Sequence, residues 1–269
     1  MCGIFGVSGS TPAVPLIAAG LKKLEYRGYD SSGIAVNGEK GIWLCKSAGS
    51  LSHLEKKLNQ SAPPLSSVGI GHTRWATHGK ATDLNAHPFL SADGMFAVAH
   101  NGIIENYTGL KAFLSEKGFS FVSDTDSEVV PMLLEYFYDG DVLKAIRRAV
   151  SELEGAFSLA IITSHAPDCV FAARKDSSLA IGRGKGCSFV SSDIPALSGF
   201  AEQCCIPDEN SVAVLRKGEI KLFDRQGNRT APSFKPTGEC GGDAEKGDFP
   251  FFMLKEIFSQ PRCLTDAAA

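Results

Sequence analysis

Cys2 directly follows the initiator methionine. Methionine is commonly removed ahead of a small residue, and its removal would leave a free α-amino group beside the thiol, so that one residue holds both a nucleophile and a base. The reference pKa is about 8 for the amine and about 8.5 for the thiol, so a modest environmental shift lets the amine accept the thiol proton at neutral pH. Taken alone, Met1-Cys2 fits a core thiol on an edge strand better than a nucleophile. A second candidate chemistry is metal binding, because His72, His78 and His87 are close in sequence and His100 lies on a neighbouring predicted strand. Neither a compact zinc spacing nor an HExxH motif accompanies them, so His72, His87 and His100 are read as structural and no metal is expected. Gly182-Arg183-Gly184-Lys185-Gly186 lacks the strand-to-helix setting of a phosphate cradle and reads as a hairpin connection. With no dinucleotide or Walker-type loop either, no cofactor is expected.

The elements that must position these residues are legible in outline. Short β-branched and aromatic runs at 2–8, 33–36, 41–45, 68–72, 95–100, 156–163, 169–173, 188–191, 211–215 and 219–223 predict strands. Val14, Ile17, Leu21 and Leu24 share one helical face behind a Thr11-Pro12 start suited to a cap and first turn. Leu110, Phe113 and Leu114 predict a second helix ending near Gly118, and Leu143, Ile146, Val150 and Leu153 another that starts after Asp141. Thr125-Asp126-Ser127-Glu128 fits a capping box, which places Asp126 at the start of a helix bearing Val129, Leu133, Tyr136 and Phe137 on its apolar face. Pro131 is tolerated there because it falls within the first turns. Strands in adjacent pairs and helices in clusters predict an α+β fold with an antiparallel two-sheet core covered by helices. Residues 232–248, rich in Gly, Pro and charge, read as a loop or linker, and 249–260 as a short amphipathic helix.

Composition narrows the function classes. The 269 residues are 43% hydrophobic and 21% charged, enough for a sizeable core, and the formal net charge of -3 leaves no broad basic field for nucleic acid or an anionic membrane. The longest apolar stretch, 155–163, falls far short of the roughly 20 residues of a membrane span, and residues 1–9 lack a signal-peptide pattern. The cytoplasm is the expected location. Eight cysteines without a CxxC pair or regular framework are expected to be mostly reduced, half-buried thiols.

Several long motifs change the weight given to Cys2. Cys2-Gly3-Ile4-Phe5-Gly6-Val7, Leu24-Glu25-Tyr26-Arg27-Gly28-Tyr29-Asp30-Ser31-Ser32-Gly33, His72-Thr73-Arg74-Trp75-Ala76-Thr77-His78-Gly79 and His100-Asn101-Gly102-Ile103-Ile104-Glu105-Asn106 occur in that order. Ser123-Asp124-Thr125-Asp126-Ser127-Glu128, Gly155-Ala156-Phe157, Ser192-Asp193 and Phe252-Met253-Leu254-Lys255-Glu256-Ile257 follow. Over nearly its whole length the chain resembles the class II glutamine amidotransferases, which are N-terminal-nucleophile hydrolases, and within them the glutaminase half of the glutamine:fructose-6-phosphate aminotransferases (isomerizing). The resemblance implies a four-layer αββα sandwich, in agreement with the α+β pattern.

The resemblance also says which positions could serve amide cleavage. Glutamine's α-carboxylate calls for a cationic fork, and Arg74 is similar to the family's carboxylate-binding arginine. Its α-ammonium calls for a carboxylate, and Asp126 occupies the matching place. Without the motifs, Arg74 reads as a surface ion pair and Asp126 as charge complementing a helix dipole. Charge developing on the carbonyl oxygen calls for donors, and the Asn101 side chain with the Gly102 N–H resembles the family's oxyanion hole. The competing reading of Asn101-Gly102 is a hairpin turn. Trp75, Thr77 and His78 resemble the rest of the glutamine pocket, while Arg27 and Gly28 match residues lining the nucleophile.

The expected reaction is therefore hydrolysis of L-glutamine to glutamate and ammonia through a Cys2 thioester. The alternative is a regulatory or interaction protein that binds glutamine without turnover, as retention of Met1 would impose. A different N-terminal-nucleophile amide hydrolase is disfavoured because Arg74 and Asp126 together suit an amino-acid zwitterion. The expected layout is an amidotransferase domain at 2–230, with a loop, short helix and tail at 231–269 beginning the linker to a sugar-phosphate isomerase portion absent from these residues. A stand-alone subunit, a truncated product and an excised domain all fit that layout. An isomerase domain or subunit is the expected ammonia acceptor.

Overall fold

The computed structural model describes residues 2–9, 11–240, 248–249 and 252–268. Strand β1 (Gly3–Ser8) and helix α1 (Ala13–Leu24) precede the hairpin of β2 (Ser31–Gly38) and β3 (Gly41–Ala48), then α2 (Leu51–Gln60) and β4 (Val68–Arg74). After β5 (Phe89–Leu90) and β6 (Phe96–Gly102) come α3 (Tyr107–Glu116), α4 (Val129–Phe137) and α5 (Val142–Glu152). The strands β7 (Phe157–Thr163), β8 (Val170–Lys175), β9 (Ala180–Gly184), β10 (Cys187–Ser191), β11 (Gln203–Cys205), β12 (Val212–Arg216) and β13 (Glu219–Phe223) follow. The last elements are β14 (Arg229–Thr230), β15 (Lys235–Pro236), α6 (Thr237–Cys240) and α7 (Phe252–Ala268).

Among the described residues these strands form two sheets with antiparallel pairing. One runs β15-β11-β9-β10-β1-β4-β2-β3 and the other β14-β13-β12-β8-β7-β6-β5. Side chains alternate across each strand, which divides the core into three layers. In β7, Phe157, Leu159 and Ile161 face α3, α4 and α5, packing with Leu114, Leu133 and Ile146, whereas Ala160 and Ile162 turn inward to the other sheet. In β1, Ile4 turns inward while Phe5 and Val7 pack with Ile17, Leu21 and Leu54 from α1 and α2. The result is the four-layer αββα arrangement of an α+β fold.

Several local expectations are corrected. Pro12 is the residue before α1, not part of its first turn, and no side chain caps that end. The capping box does not form: α4 begins at Val129, and the Glu128 carboxylate instead accepts from the Val122 and Ser123 N–H groups, at 3.0 and 2.8 Å. Glu128 thereby ties down the segment ahead of the helix. Asp141 caps α5 as expected, accepting from the Lys144 N–H at 3.0 Å. The final helix runs through Pro261 to Ala268, well past residue 260. Within the expected loop at 232–248, β15 and α6 are ordered elements, and 241–247 lie outside the described residues. Among the described cysteines more are buried than expected: Cys169, Cys187, Cys204 and Cys205 are buried, Cys2 and Cys45 half-buried and Cys263 exposed. No described helix is long and apolar enough to cross a membrane.

Candidate active site

Strands β1 and β4 are antiparallel neighbours with Gly3 opposite Thr73, so Cys2 and Arg74-Trp75 leave their sheet at the same end. The Cys2 Sγ accepts a hydrogen bond from the Trp75 N–H at 3.2 Å. The Cys2 carbonyl accepts from Arg27 Nε at 3.1 Å and from the Asn101 side-chain amide at 3.0 Å. Burial pushes the Cys2 thiol pKa up, against the opposing influence of the Trp75 N–H and the Arg74 and Arg27 cations. A thiol so placed needs a proton acceptor close by, and a free α-amine on the same residue would supply one.

Arg27 follows α1 in a short 3-10 turn, and its guanidinium pairs with Asp193 at 3.2 Å, which also accepts from the Tyr26 hydroxyl. Gly28 is buried against Arg74 and Trp75, and a Cβ there would sit 2.7 Å from the Arg74 carbonyl carbon and 2.9 Å from the Trp75 nitrogen. Its lack of a side chain lets the turn approach the end of β4.

Arg74 is only 3% exposed, which rules out the surface ion pair. Its guanidinium reaches the backbone carbonyls of His78, Gly79 and Lys80, the last two at 3.3 and 3.2 Å, and so holds the loop after β4 in a curl. Burial lowers its pKa, while Cys2, Asp126 and Asp30 act to raise it. Within the loop, Trp75 is 43% exposed and packs edge-on to Tyr29, while the Ala76 N–H donates to Asp30 at 2.8 Å. Thr77 is exposed, and the half-buried His78 lies 3.4 Å from its hydroxyl and edge-on to Tyr107.

The second sheet contributes Asn101 and Gly102 from the end of β6. The hairpin reading fails: Gly102 has φ +118° and still pairs with Phe157, and the following Ile103 N–H donates to the Ala156 carbonyl at 3.0 Å. A Cβ on Gly102 would collide with that carbonyl, so this position requires glycine on both counts. Asp126 lies in the turn before α4 and is 4% exposed. Its Oδ2 accepts from the Ile104 N–H at 2.8 Å and its Oδ1 from the Ser127 hydroxyl at 3.3 Å. The structure thus gathers Cys2, Arg27, Gly28, Arg74, Trp75, Asn101, Gly102 and Asp126 at one end of the sandwich, with Thr77 and His78 on the loop that Arg74 holds.

His72, structural by sequence pattern, does more in the fold: its Nε2 bridges the two sheets, lying 2.9 Å from Asn101 Oδ1 and 3.0 Å from the His100 carbonyl. As the donor it turns the amide nitrogen of Asn101 toward Cys2. The inward face of β4 that carries Val68 and Ile70 continues to His72, so period-two counting could have found it. His87 stacks on His72 with centroids 4.2 Å apart and accepts the His100 N–H at 3.2 Å, while His100 Nδ1 meets the Ser127 hydroxyl at 2.7 Å. Burial lowers the pKa of all three rings, to about 3 for His72 and about 4 for His100. Among the described residues no three His, Cys, Asp or Glu side chains are grouped to hold a metal. Tyr26 and Asp193 were also missed, although both stand in motifs already noted, because only the fold brings residues 167 positions apart into contact.

The glutamine amidotransferase domain family matches residues 72–199. Over 266 residues, 99% of this chain, the sequence is 43% identical to a glutamine–fructose-6-phosphate aminotransferase (isomerizing) of Clostridium tetani and 45% identical to one of Symbiobacterium thermophilum. The chain spans 44% of the length of each. Among solved structures, glutamine phosphoribosylpyrophosphate amidotransferase from B. subtilis superposes with a TM-score of 0.74 at 25% identity, over 85% of this chain and 50% of that one.

Proposed function

We propose that the chain is a class II glutamine amidotransferase and that it hydrolyses L-glutamine to L-glutamate and ammonia through a γ-glutamyl thioester on Cys2. The observation that carries this reading is the convergence of Cys2 and Arg74 from one sheet with the Asn101 amide and Gly102 from the other and Asp126 from the turn before α4. After Met1 is removed, the Cys2 α-amine takes the thiol proton and the sulfur attacks the γ-carbonyl carbon. The negative charge moves to the carbonyl oxygen, where the Asn101 amide and the Gly102 N–H serve as donors. The ammonium then protonates the departing amide nitrogen, ammonia leaves and a thioester remains. The same amine accepts a proton from water as the water attacks, and the thiol is restored with release of glutamate.

Arg74 and Asp126 are proposed to take the α-carboxylate and α-ammonium of glutamine. Trp75, Thr77 and His78 complete the pocket, and Arg27 and Gly28 support the nucleophile. The names of the relatives extend the proposal: the domain at 2–230 is the glutaminase part of a glutamine:fructose-6-phosphate aminotransferase, and 231–269 leads toward an isomerase domain or subunit that accepts the ammonia. A cytoplasmic location belongs to the same reading. The test is glutamate release from glutamine by protein of known N-terminal mass, beside a Cys2→Ala variant and without sugar phosphate. Activity lost in the variant is expected. A processed Cys2 without turnover would overturn independent hydrolysis and favour glutamine binding alone.

A further inference from the structure

Away from the candidate active site, α5, the end of β8 and the turn after β13 border an open cleft of about 410 Å³ with an unusual lining. Lys144, Arg147, Arg148, Lys175 and Arg225 surround it, no carboxylate lines it among the described residues, and Asn210 adds a polar side chain. That concentration of one sign stands out in a chain whose formal net charge is -3. Two of the cations are held in place. Arg147 Nη2 donates to the Arg225 carbonyl at 2.9 Å, and its guanidinium lies against Gly227, where a Cβ would collide with it. Arg148 lies over the Phe137 ring, 4.6 Å from its centroid. The Lys144 ammonium is paired with Asp139, outside the lining.

We propose that this cleft binds a small phosphorylated metabolite. Guanidinium groups fixed before a ligand arrives suit the bidentate recognition of phosphate oxygens. The volume matches a compound of sugar-phosphate or mononucleotide size. A compact cluster in an otherwise acidic chain favours such a ligand over nucleic acid, which calls for an extended basic stripe. Lys175 sits opposite Phe157, and Phe157 opposite Gly102, so the cleft borders the sheet end that carries the proposed oxyanion donors.

The test is calorimetric titration of the whole chain with inorganic pyrophosphate at physiological ionic strength, in the presence of saturating glutamate to occupy the glutamine pocket. Saturable one-to-one binding is expected, weakened about tenfold or more by Arg148→Glu or Arg225→Glu. Both side chains are exposed, so thermal unfolding near that of the parent chain is expected for each variant. Lys56→Glu, an exposed charge reversal on α2, should leave binding unchanged. Absence of saturable binding, equal weakening by Lys56→Glu, or equal binding of sulfate would each overturn the proposal. So would binding of a poly-glutamate peptide without binding of pyrophosphate.

Discussion

His72, His87 and His100 are buried side by side as neutral rings, which ties stability to pH. In the unfolded chain each takes up a proton near pH 6.5, whereas the folded values lie far lower, at about 3 for His72 and about 4 for His100. The unfolded state therefore binds more protons throughout that window, and stability falls as pH drops below 6.5. At pH 5 the loss is about 2 kcal/mol for each of His72 and His100, and His87 acts in the same direction. Urea denaturation between pH 7.5 and pH 5 should show uptake of more than one proton on unfolding, and a flat profile would mean that the rings are not buried neutral. His72 has a second role as the positioning residue for Asn101. His72→Ala frees the Asn101 amide to rotate, and a fall in kcat of about 10- to 100-fold with little change in KM is expected, bounded by what one oxyanion donor is worth. Partial rescue by His72→Gln, which keeps a donor, distinguishes positioning from a general loss of packing.

Among the elements, α5 and the β6 terminus behave differently. Asp141 closes the first turn of α5 on the outer face of the second sheet, remote from Cys2. Asp141→Ala should cost about 1 kcal/mol in chemical denaturation and leave glutamine turnover unchanged. The β6 terminus has no such latitude, because Gly102 combines φ +118° with the close approach of the Ala156 carbonyl. Gly102→Ala is expected to displace the Ile103 pairing, lowering both stability and turnover when the two are measured on the same preparation. The contrast follows from where each backbone group lies: a cap at a helix end is local, whereas Gly102 joins the strand to the proposed chemistry.

For the molecule as a whole, the spacing of the two sheets sets the site. Ala97, Ala99, Ala160, Ala172 and Ala213 stand between the sheets, so small side chains let β4 and β6 approach until His72 reaches Asn101. Ala160→Leu inserts volume into that layer, away from every proposed substrate contact. Overpacking typically costs about 1 to 3 kcal/mol. Here it should also reduce turnover more than Asp141→Ala does, because it moves the sheets apart at the His72 bridge. Turnover unchanged at equal destabilisation would show that sheet spacing does not govern the site.

Much of this was legible before folding is considered. β-branched and aromatic runs announce most of the longer strands, period 3.6 announces α1, α3 and α5, and the motifs around Cys2, Arg74, Asn101 and Asp126 name the residues now found together. The shortest strands, β5, β14 and β15, escaped because two residues carry no periodicity. Helix α2 escaped although Leu51, Leu54 and Leu58 have helical spacing, since its other positions are polar. The capping-box pattern at 125–128 matched a local rule that tertiary contact overrode, with Glu128 bonding backward to Val122 and Ser123. Tertiary structure alone decided that Arg74 grips the 78–80 carbonyls, that Tyr26 and Arg27 share Asp193, and that His72 crosses from one sheet to the other to orient Asn101. The physical reason is common to all three. Backbone propensity and side-chain periodicity are properties of neighbours along the chain, whereas these bonds join distant segments or depend on the curl of a loop, and no local pattern encodes them.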